Sequence, residues 1–289
     1  MKKLLKGLLA VAMMFAVTAC GGSNEPDLLD QIKEKGYITL ATSPDFAPNE
    51  FYVLKDGQQT IVGSDIALAQ AIADEIGVEL KINAVGFKQV IPEVQAGNAD
   101  FGIAGFAWTE ERAKAVKFSE NYSQTTSDGW QGLMIRKADK DKYKTLDDIK
   151  AANIKIGAQT GSIQAEMAAK LTTNIEKMGD NSLIAQDLAL GTIDAYVITS
   201  TQAAAAMNGN DSIMLLPEEG FNLDPEGKYD QVGAVFSKNA NNDSLIEVVN
   251  KVIAKAKEVN AEGKSQLDIW NDEAEALLPF DLTATIYGY

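Results

Sequence analysis

Apolar and polar residues recur with two different periods in the first part of the chain. Residues 37–41 are rich in strand-favouring types, and residues 78–82 alternate between apolar and polar positions, as is typical of a strand. Between them, the apolar residues of 64–76 fall on one helical face, with Ser64 predicted as the N-cap and Gly77 as the end of the helix. The strand, helix and strand order repeats along the chain, and it predicts an α/β fold with largely parallel sheets.

A short motif occurs twice in the chain. It reads V-x-x-G-x-x-D-F at 94–101 and L-x-x-G-x-x-D-A at 188–195. In each copy a short helical segment is followed by the start of a strand. The repetition favours two lobes of similar build.

Two short β-rich segments, at 130–135 and 232–237, lie where the chain could cross between two lobes. The second crossing would return the chain to the first lobe, which then ends in helical segments at about 245–260 and 265–277. Two crossings side by side form a hinge, and a hinge places a cleft at the carboxyl ends of the strands.

The N-terminus has the pattern of an export signal. Three lysines flank or interrupt an apolar run at 4–17, which is too short and too early for a lone membrane-spanning helix. The sequence V-T-A-C at 17–20 resembles the lipobox of bacterial lipoproteins, in which cleavage precedes the cysteine and lipid is attached to its sulfur. An ordinary signal peptide with a chance cysteine is the alternative, but Cys20 is the single cysteine of the chain. We therefore predict an extracytoplasmic protein that is anchored to the cell membrane by palmitate or a similar lipid on Cys20.

The domain organisation follows from these segments. Residues 21–27 are small and polar, and we expect them to form a flexible spacer. The 270 residues that remain after removal of residues 1–19 (289 − 19) exceed a usual single domain. The predicted boundaries are 1–19 for the signal peptide, 20–29 for the spacer, 30–130 plus 233–289 for lobe 1, and 131–232 for lobe 2.

Composition excludes several functional classes. The formal charge is −15, and it becomes −18 (−15 − 3) once the three lysines of residues 1–19 are removed. A chain this acidic is a poor nucleic-acid binder. The sequence has no histidine and no G-x-x-x-x-G-K-[ST] segment, which excludes histidine-based catalysis, histidine metal ligands and a P-loop. A calcium-loop-like stretch at 139–150 has lysine where glycine and glutamate are needed, so we expect no metal and no cofactor.

Five segments, in this order, resemble the extracellular solute-binding proteins of family 3, the polar amino-acid receptors of ABC importers. They are ATSPDFAP at 41–48, GSDI at 63–66, IPEVQAG at 91–97, AGFAWTEER at 104–112 with FSENY at 118–122, and IGAQTGS at 156–162. The resemblance covers nearly all of residues 30–277. It implies a two-lobed, type II periplasmic-binding-protein-like fold with a two-crossing hinge, which closes on one amino acid. It also implies a monomer that works with an ABC permease and its ATPase.

Arg112 has two interpretations. Thr109 is a predicted N-cap, and a cation in the first turn after it opposes the helix dipole by about 0.3–1 kcal/mol. On the residues alone, the favoured interpretation is an exposed Arg112 paired with a neighbouring glutamate. The resemblance instead implies that both guanidinium donors of Arg112 hold the α-carboxylate of the ligand. Backbone N–H groups near Gly105 and Ala107 would share that anion.

The turn Thr160, Gly161 and Ser162 precedes a helical stretch, so its backbone donors and the helix N-terminus can form an anion site on lobe 2. A plain strand-to-helix turn with Ser162 as the cap is the alternative. The resemblance favours the anion site. A carboxylate held from both lobes would bind the closed state better than the open one, and that difference would drive closure.

The aromatic candidates are Phe46 and Phe87, which match family positions that stack on the ligand side chain. An aromatic residue in an α/β chain is more often part of the core. That alternative is stronger for Phe106, a further candidate in the segment before Arg112.

The chain departs from the family pattern at three positions. Thr199 stands where many members have the acid that binds the ligand ammonium, and Ser43 stands where several have an aspartate that binds a polar side chain. Ala107 replaces a common serine or threonine. These differences predict that neutral or aromatic ligands bind better than arginine or lysine, and they leave open a carboxylate without an α-amine.

The leading prediction is a substrate-binding lipoprotein, not an enzyme, that captures a small amino acid or related carboxylate. One alternative is an enzyme of the same fold that acts on a small carboxylate. The other is a ligand sensor that acts through a separate partner.

Overall fold

The computed structural model describes residues 26–123 and 129–287. The predicted signal peptide at 1–19 and Cys20 lie outside the described residues, together with 21–25 of the predicted spacer. Within the described ranges, no helix is both long enough and apolar enough to cross a membrane.

Helices and strands alternate along most of the chain, as the periodicity predicts. The helices are α1 (Leu28–Lys35), α2 (Ser64–Ile76), α3 (Phe87–Ala96), α4 (Glu110–Ala115), α5 (Leu146–Ala152), α6 (Ile163–Leu171), α7 (Asn181–Leu190), α8 (Ser200–Met207), α9 (Glu218–Phe221), α10 (Asp243–Ala256), α11 (Gln266–Glu275) and α12 (Leu282–Tyr287). The strands are β1 (Tyr37–Thr42), β2 (Asp45–Phe46), β3 (Glu50–Lys55), β4 (Gln58–Val62), β5 (Glu79–Ala84), β6 (Phe101–Gly102), β7 (Val116–Phe118), β8 (Gln131–Arg136), β9 (Ile156–Gln159), β10 (Ile175–Met178), β11 (Ala195–Thr199), β12 (Ile213–Leu215) and β13 (Val235–Ser237).

The first sheet is the centre of lobe 1. Its strand order is β5-β1-β6-β13-β7, with β1 parallel to β5 and β6, and β13 antiparallel to β6 and β7. Its core includes Ile32, Leu40, Ile72, Phe101 and Val249, which are all buried. These residues come from two chain segments, so lobe 1 is built from the polypeptide both before and after lobe 2.

The second sheet is the centre of lobe 2. Its strand order is β10-β9-β11-β8-β12, with β9 parallel to its two neighbours and β8 antiparallel to β11 and β12. Residues such as Leu133, Ile156 and Tyr196 are buried in its strands. The two sheets confirm the predicted two-lobed α/β fold. The prediction of largely parallel sheets is wrong, because each sheet has two parallel and two antiparallel strand pairs: its last two strands, β7 and β13 in lobe 1 and β8 and β12 in lobe 2, run next to the crossings between the lobes and pair antiparallel.

A three-stranded antiparallel sheet, β2-β3-β4, lies next to the start of α2. Gly63 has φ +133°, and a Cβ atom there would lie 2.0 Å from the Asn49 carbonyl oxygen, so only glycine fits. The first N–H groups of α2 donate to the Pro48 and Asn49 carbonyls at 3.1 and 2.9 Å. The prediction of Ser64 as the N-cap is therefore wrong, because Gly63 occupies that position and backbone carbonyls replace the side-chain cap.

The repeated sequence motif corresponds to a repeated local structure. Helices α3 and α7 both end at a glycine in the left-handed conformation, Gly97 and Gly191. The aspartates that follow the two glycines each accept a backbone N–H. Asp100 accepts one from a residue of β1 at 2.7 Å, and Asp194 accepts one from the residue before β9 at 3.0 Å. The structure confirms that the two copies mark equivalent helix-to-strand connections in the two lobes.

The two crossings between the lobes run side by side. Ser119 N–H donates to the Ala234 carbonyl at 2.9 Å, and Tyr122 N–H donates to the Val232 carbonyl at 3.0 Å. The first crossing connects β7 to β8, and the second connects β12 to β13. This arrangement is the predicted two-crossing hinge.

The predicted positions of the crossings were displaced. The segment predicted at 130–135 is mostly β8, which pairs with β11 and β12 inside lobe 2. The second half of the segment predicted at 232–237 is β13, inside lobe 1. A β-rich pattern marks strands, so it located the first strand after each crossing rather than the crossing itself.

Both ends of the described chain differ from the predicted boundaries. Helix α1 begins at Leu28, capped by Asp27, so the last two residues of the predicted 20–29 spacer are helical. Helix α12 contacts α8, and its Ile286 packs against the buried cluster around Tyr196. The predicted boundary placed this helix in lobe 1, whereas its apolar side chain has its packing partners in lobe 2.

Candidate ligand-binding site

Arg112 is placed by a short, capped helix in lobe 1. Thr109 is the N-cap of α4, and its hydroxyl accepts the Arg112 N–H at 3.1 Å, which confirms the predicted cap. Since Arg112 lies in the first turn, its side chain leaves the helix beside the cap and reaches the space between the lobes.

The Arg112 guanidinium touches both lobes. Its Nη1 donates to the Ala107 carbonyl at 2.9 Å, and its Nη2 donates to the Gly161 carbonyl on lobe 2 at 3.1 Å. Glu110, the neighbour that could have paired with it, forms an exposed ion pair with Lys114 instead. Burial lowers the pKa of Arg112, but a guanidinium remains charged in proteins. A fixed cation therefore sits at the junction of the lobes.

Two aromatic rings lie beside this cation. The Phe87 and Phe106 centroids are 4.9 Å apart with an interplanar angle of 26°, and the Arg112 Cζ lies 5.6 Å and 5.4 Å from them. Phe106 is buried in the core of lobe 1, whereas Phe87 is partly exposed. The rings restrict the guanidinium sideways and add a cation–π attraction.

Phe46 approaches the same loop from the small sheet. Gly105 has φ +55°, and a Cβ atom there would lie 3.0 Å from Phe46 Cε1. Glycine thus permits the ring to contact the loop backbone. The structure brings Phe46 and Phe106 to one loop, whose other end, at Ala107, binds Arg112.

The turn at 160–162 faces Arg112 from lobe 2. Ser162 is the N-cap of α6, and its hydroxyl accepts the Ala165 N–H at 3.1 Å. This is the cap that the alternative interpretation, a plain strand-to-helix turn, predicted. The Thr160 hydroxyl donates to the Met178 carbonyl at 2.9 Å. Gly161, at φ +83°, presents its carbonyl to Arg112. The turn is therefore held by lobe 2, while its glycine meets the cation of lobe 1.

Thr199 lies at the end of β11 and is the N-cap residue of α8. Its hydroxyl is 3.4 Å from that of Thr201. A hydroxyl supplies no negative charge, so any charge that complements a ligand ammonium has to come from elsewhere.

Asp65 holds the Gly105 loop from behind. One of its carboxylate oxygens accepts the Gly105 N–H and the Tyr122 hydroxyl, both at 3.0 Å. Burial raises the pKa of Asp65, and these two hydrogen bonds oppose that change. The predicted ligand donor at Gly105 is thus directed at Asp65. Because Tyr122 lies on a hinge crossing, one carboxylate joins the loop to the hinge.

Glu50 is the most unusual group near the site. Its side chain is fully buried, and neither carboxyl oxygen has a hydrogen-bond partner among the described residues. Burial raises the pKa of Glu50 well above its ordinary value of 4.5, and the negative charges of Asp65 and Asp45 raise it further. Glu50 therefore holds its proton when exposed glutamates are ionised.

Asp45 joins the two lobes. Its Oδ2 accepts Gln159 Nε2 at 2.8 Å and the Asn181 N–H at 3.0 Å, both from lobe 2, and its Oδ1 accepts the Ser43 hydroxyl at 3.0 Å. Burial raises the pKa of Asp45, an effect that these donors oppose.

The sequence analysis assigned no role to Asp45, Glu50 or Asp65. Two of them lie inside the segments that carry the family resemblance, but nothing in their spacing indicates that they converge. The available signal was weak: acidic residues directly beside apolar, strand-forming or helix-forming stretches.

Comparisons with known proteins agree with this geometry. The family profile described as bacterial extracellular solute-binding proteins, family 3, matches residues 38–264. The arginine-binding extracellular protein ArtP of Bacillus subtilis is 30% identical over 266 residues, covering 91% of this chain and 95% of ArtP.

Two solved structures share the fold over most of the chain. The amino acid ABC transporter substrate-binding protein AbpA of Streptococcus pneumoniae, bound to L-arginine, is 33% identical, with a TM-score of 0.72 over 89% of this chain and 99% of AbpA. The ancestral amino acid-binding protein AncCDT-1, a precursor of cyclohexadienyl dehydratase, is 25% identical, with a TM-score of 0.68 over 87% of this chain and 98% of AncCDT-1.

Glu50 provides a test of the electrostatics behind the site. At a pH below the ordinary pKa of glutamate, both the folded and the unfolded chain hold this proton. As the pH rises above 4.5, the unfolded chain releases the proton and the folded chain retains it, so Glu50 increasingly destabilises the fold. Glu50→Gln does not titrate, so it should raise the free energy of unfolding at pH 7, by at most about 3 kcal/mol.

Urea unfolding of Glu50→Gln and wild type between pH 4 and 8 measures this difference, which should shrink towards pH 4. Glu79→Gln, at an exposed position of lobe 1, is the control and should change little. Equal stabilities of wild type and Glu50→Gln across this pH range would contradict the assignment.

Proposed function

This chain belongs to the bacterial extracellular solute-binding proteins of family 3, and we propose that it captures an amino acid between its lobes and delivers it to an ABC permease and its ATPase. The observation that carries the proposal is the Arg112 guanidinium, which is fixed on lobe 1 and contacts the 160–162 turn of lobe 2.

The proposed role of Arg112 is to bind the α-carboxylate. Its two donors now meet neutral carbonyls, and a carboxylate would form shorter and stronger charge-assisted hydrogen bonds. The N-terminus of α6 would attract the same anion from lobe 2. Such a ligand makes contacts in the closed state that it lacks in the open one, and this difference in affinity favours closure.

We propose a basic amino acid, arginine in the first instance, as the ligand. Ser43 and Thr199 predicted a neutral ligand, but each is a difference from the family pattern at one position only. The carboxyl groups of Asp45, Glu50 and Asp65 lie close enough together to influence one another's pKa, and none of them pairs with a lysine or arginine among the described residues. Asp45, next to Phe46, and Asp65, bonded to the Gly105 N–H, supply the negative charge on this side of the cleft, and two relatives, ArtP and AbpA, are described as binding arginine.

We further propose that the protein acts outside the cytoplasm as a monomer, anchored by a lipid on Cys20. The proposal rests on the lipobox-like segment at 17–20 and on the family to which the chain belongs. A tether keeps the receptor near its permease and raises its effective concentration there without any new contact.

Replacement of Arg112 tests the carboxylate role. Arg112→Ala should weaken L-arginine binding by about 2–5 kcal/mol, because it removes the buried partner of the carboxylate. Isothermal titration calorimetry gives the affinity, and circular dichroism checks that the fold is retained. Lys114→Ala removes the same charge from the exposed side of the same helix and should bind as wild type. The proposal fails if Arg112→Ala binds with unchanged affinity.

A thermal-shift panel tests the ligand class. Among the common amino acids, arginine should raise the melting temperature most, while agmatine, which lacks the carboxylate, should have little effect. The deaminated analogue of arginine measures the contribution of the α-ammonium, which should be modest because Thr199 carries no charge. Stabilisation by neutral or aromatic amino acids alone would contradict the basic ligand.

Metabolic labelling tests the anchor. Cells that express the full chain should incorporate labelled palmitate into the wild type and not into Cys20→Ser, since no other thiol is present. Equal incorporation into both proteins would exclude lipidation at Cys20.

A further inference from the structure

A second set of interlobe contacts lies apart from Arg112. Asp45, the first residue of β2 in lobe 1, reaches across to lobe 2, where its Oδ2 accepts Gln159 Nε2 at 2.8 Å and the Asn181 N–H at 3.0 Å. These partners are 114 and 136 residues away in sequence. Neither Asp45 nor these two partners belong to the residues predicted to bind the ligand.

The Asn181 contact has the chemistry of a helix cap. Asn181 is the first residue of α7, whose N–H has no partner within its own helix. The N-cap residue, Asp180, uses its side chain on the Ser182 N–H at 2.7 Å, which leaves the Asn181 N–H for Asp45. A carboxylate at a helix N-terminus is also stabilised by the helix dipole. Asp45 of lobe 1 thus adds a second capping acceptor to a helix that Asp180 already caps within lobe 2.

The partners of Asp45 are themselves held in place. The Tyr196 hydroxyl donates to Asn181 Oδ1 at 2.6 Å, and Gln159 Nε2 also approaches the Gly179 carbonyl at 3.4 Å. Tyr196 and Gln159 are buried. Asp45 therefore meets donors whose positions are fixed by lobe 2, and little side-chain freedom is lost when the contact forms.

The same loop makes one more bond to lobe 2. Gln202, which is buried on α8, donates its side-chain amide to the Ala47 carbonyl. The loop at 43–49 is thereby bonded to three elements of lobe 2, namely β9, α7 and α8. These bonds can exist only when the lobes are together.

We propose that Asp45, Gln159 and Asn181 form an interlobe latch that holds the lobes closed without a ligand. The latch needs an acceptor at position 45, because both lobe 2 partners are N–H donors, and a carboxylate is a stronger acceptor than a neutral oxygen. An asparagine at position 45 would either lose strength as an acceptor or turn its own N–H group towards a donor. Two acids face Asp45. Asp180 from α7 opposes its charge and limits the strength of the latch, whereas Glu50 from β3 holds its proton and adds no charge.

The latch has a consequence for ligand binding. If part of the ligand-free protein is already closed, less of the binding free energy is needed to close the lobes. The apparent affinity for the ligand therefore rises with the closed fraction. The latch also delays opening, which slows release. Asp45 is in this account a positioning residue, and its effect reaches the ligand through the lobe equilibrium.

The first experiment needs no ligand. Donor and acceptor fluorophores at Leu54→Cys in lobe 1 and Leu190→Cys in lobe 2, both exposed, report the interlobe distance in the full chain carrying Cys20→Ser. Asp45→Asn should increase the ratio of open to closed molecules about tenfold, the usual effect of losing a charge-assisted hydrogen bond. Asp56→Asn, at an exposed turn of lobe 1, removes the same charge and should leave the ratio unchanged.

A second variant guards against misfolding of the 43–49 loop. Gln159→Leu removes a donor from lobe 2 and should shift the ratio in the same direction, while Asp45→Asn combined with Gln159→Leu should shift it less than the sum of the two. The latch is overturned if the ligand-free wild type is open throughout, if Asp45→Asn matches Asp56→Asn, or if the two substitutions add fully.

The ligand arm uses L-arginine and rests on the proposed function. Stopped-flow measurement should show about tenfold faster dissociation for Asp45→Asn with a similar association rate. If arginine does not bind the wild type, the proposed ligand fails and the fluorescence result still decides the latch. If Asp45→Asn binds arginine more weakly but leaves the ligand-free distances unchanged, Asp45 contacts the ligand and the latch is overturned.

Discussion

The need to satisfy one buried cation between two lobes organises this protein. A guanidinium in a partly buried position must find oxygen partners, and Arg112 finds one on each lobe. Thr109 sets the helix that carries it, Phe87 and Phe106 restrict it sideways, and Gly161 meets it from lobe 2. The hinge sets the distance between the lobes. It therefore decides whether Arg112 can contact Gly161, or a ligand carboxylate that takes the place of this contact.

Negative charge on the other side of the loop is the counterpart of Arg112. Asp65 ties the Gly105 loop to Tyr122 of the hinge, and Asp45 reaches lobe 2, whereas the buried Glu50 holds its proton and adds no charge. An amino acid with a basic side chain has charges that complement both sides. In the proposed function, the same acids would connect ligand recognition to lobe movement, since Asp65 contacts the hinge and Asp45 contacts the opposite lobe.

Local sequence signals predicted much of the fold and the part of the site that depends on local geometry. The caps at Thr109 and Ser162 and the helix end at Gly77 follow from interactions within a few residues, and the structure confirms them. Ser64 failed as a cap because its place is taken by backbone carbonyls 15 or more residues earlier, which no local pattern reveals. Asp45 was missed for the same reason, since its partners are more than 100 residues away.

The central claim is that Arg112 holds the ligand carboxylate across the cleft. The most direct test is a double-mutant cycle in which one change is made in the protein and the other in the ligand. Calorimetry measures the affinities of wild type and Arg112→Ala for L-arginine and for L-argininamide, in which an amide replaces the carboxylate. The account predicts that the wild type binds the amide at least about 2 kcal/mol more weakly than the acid, and that Arg112→Ala hardly distinguishes the two. An equal preference for the acid in both proteins would contradict it, because the carboxylate would then be held by groups other than Arg112.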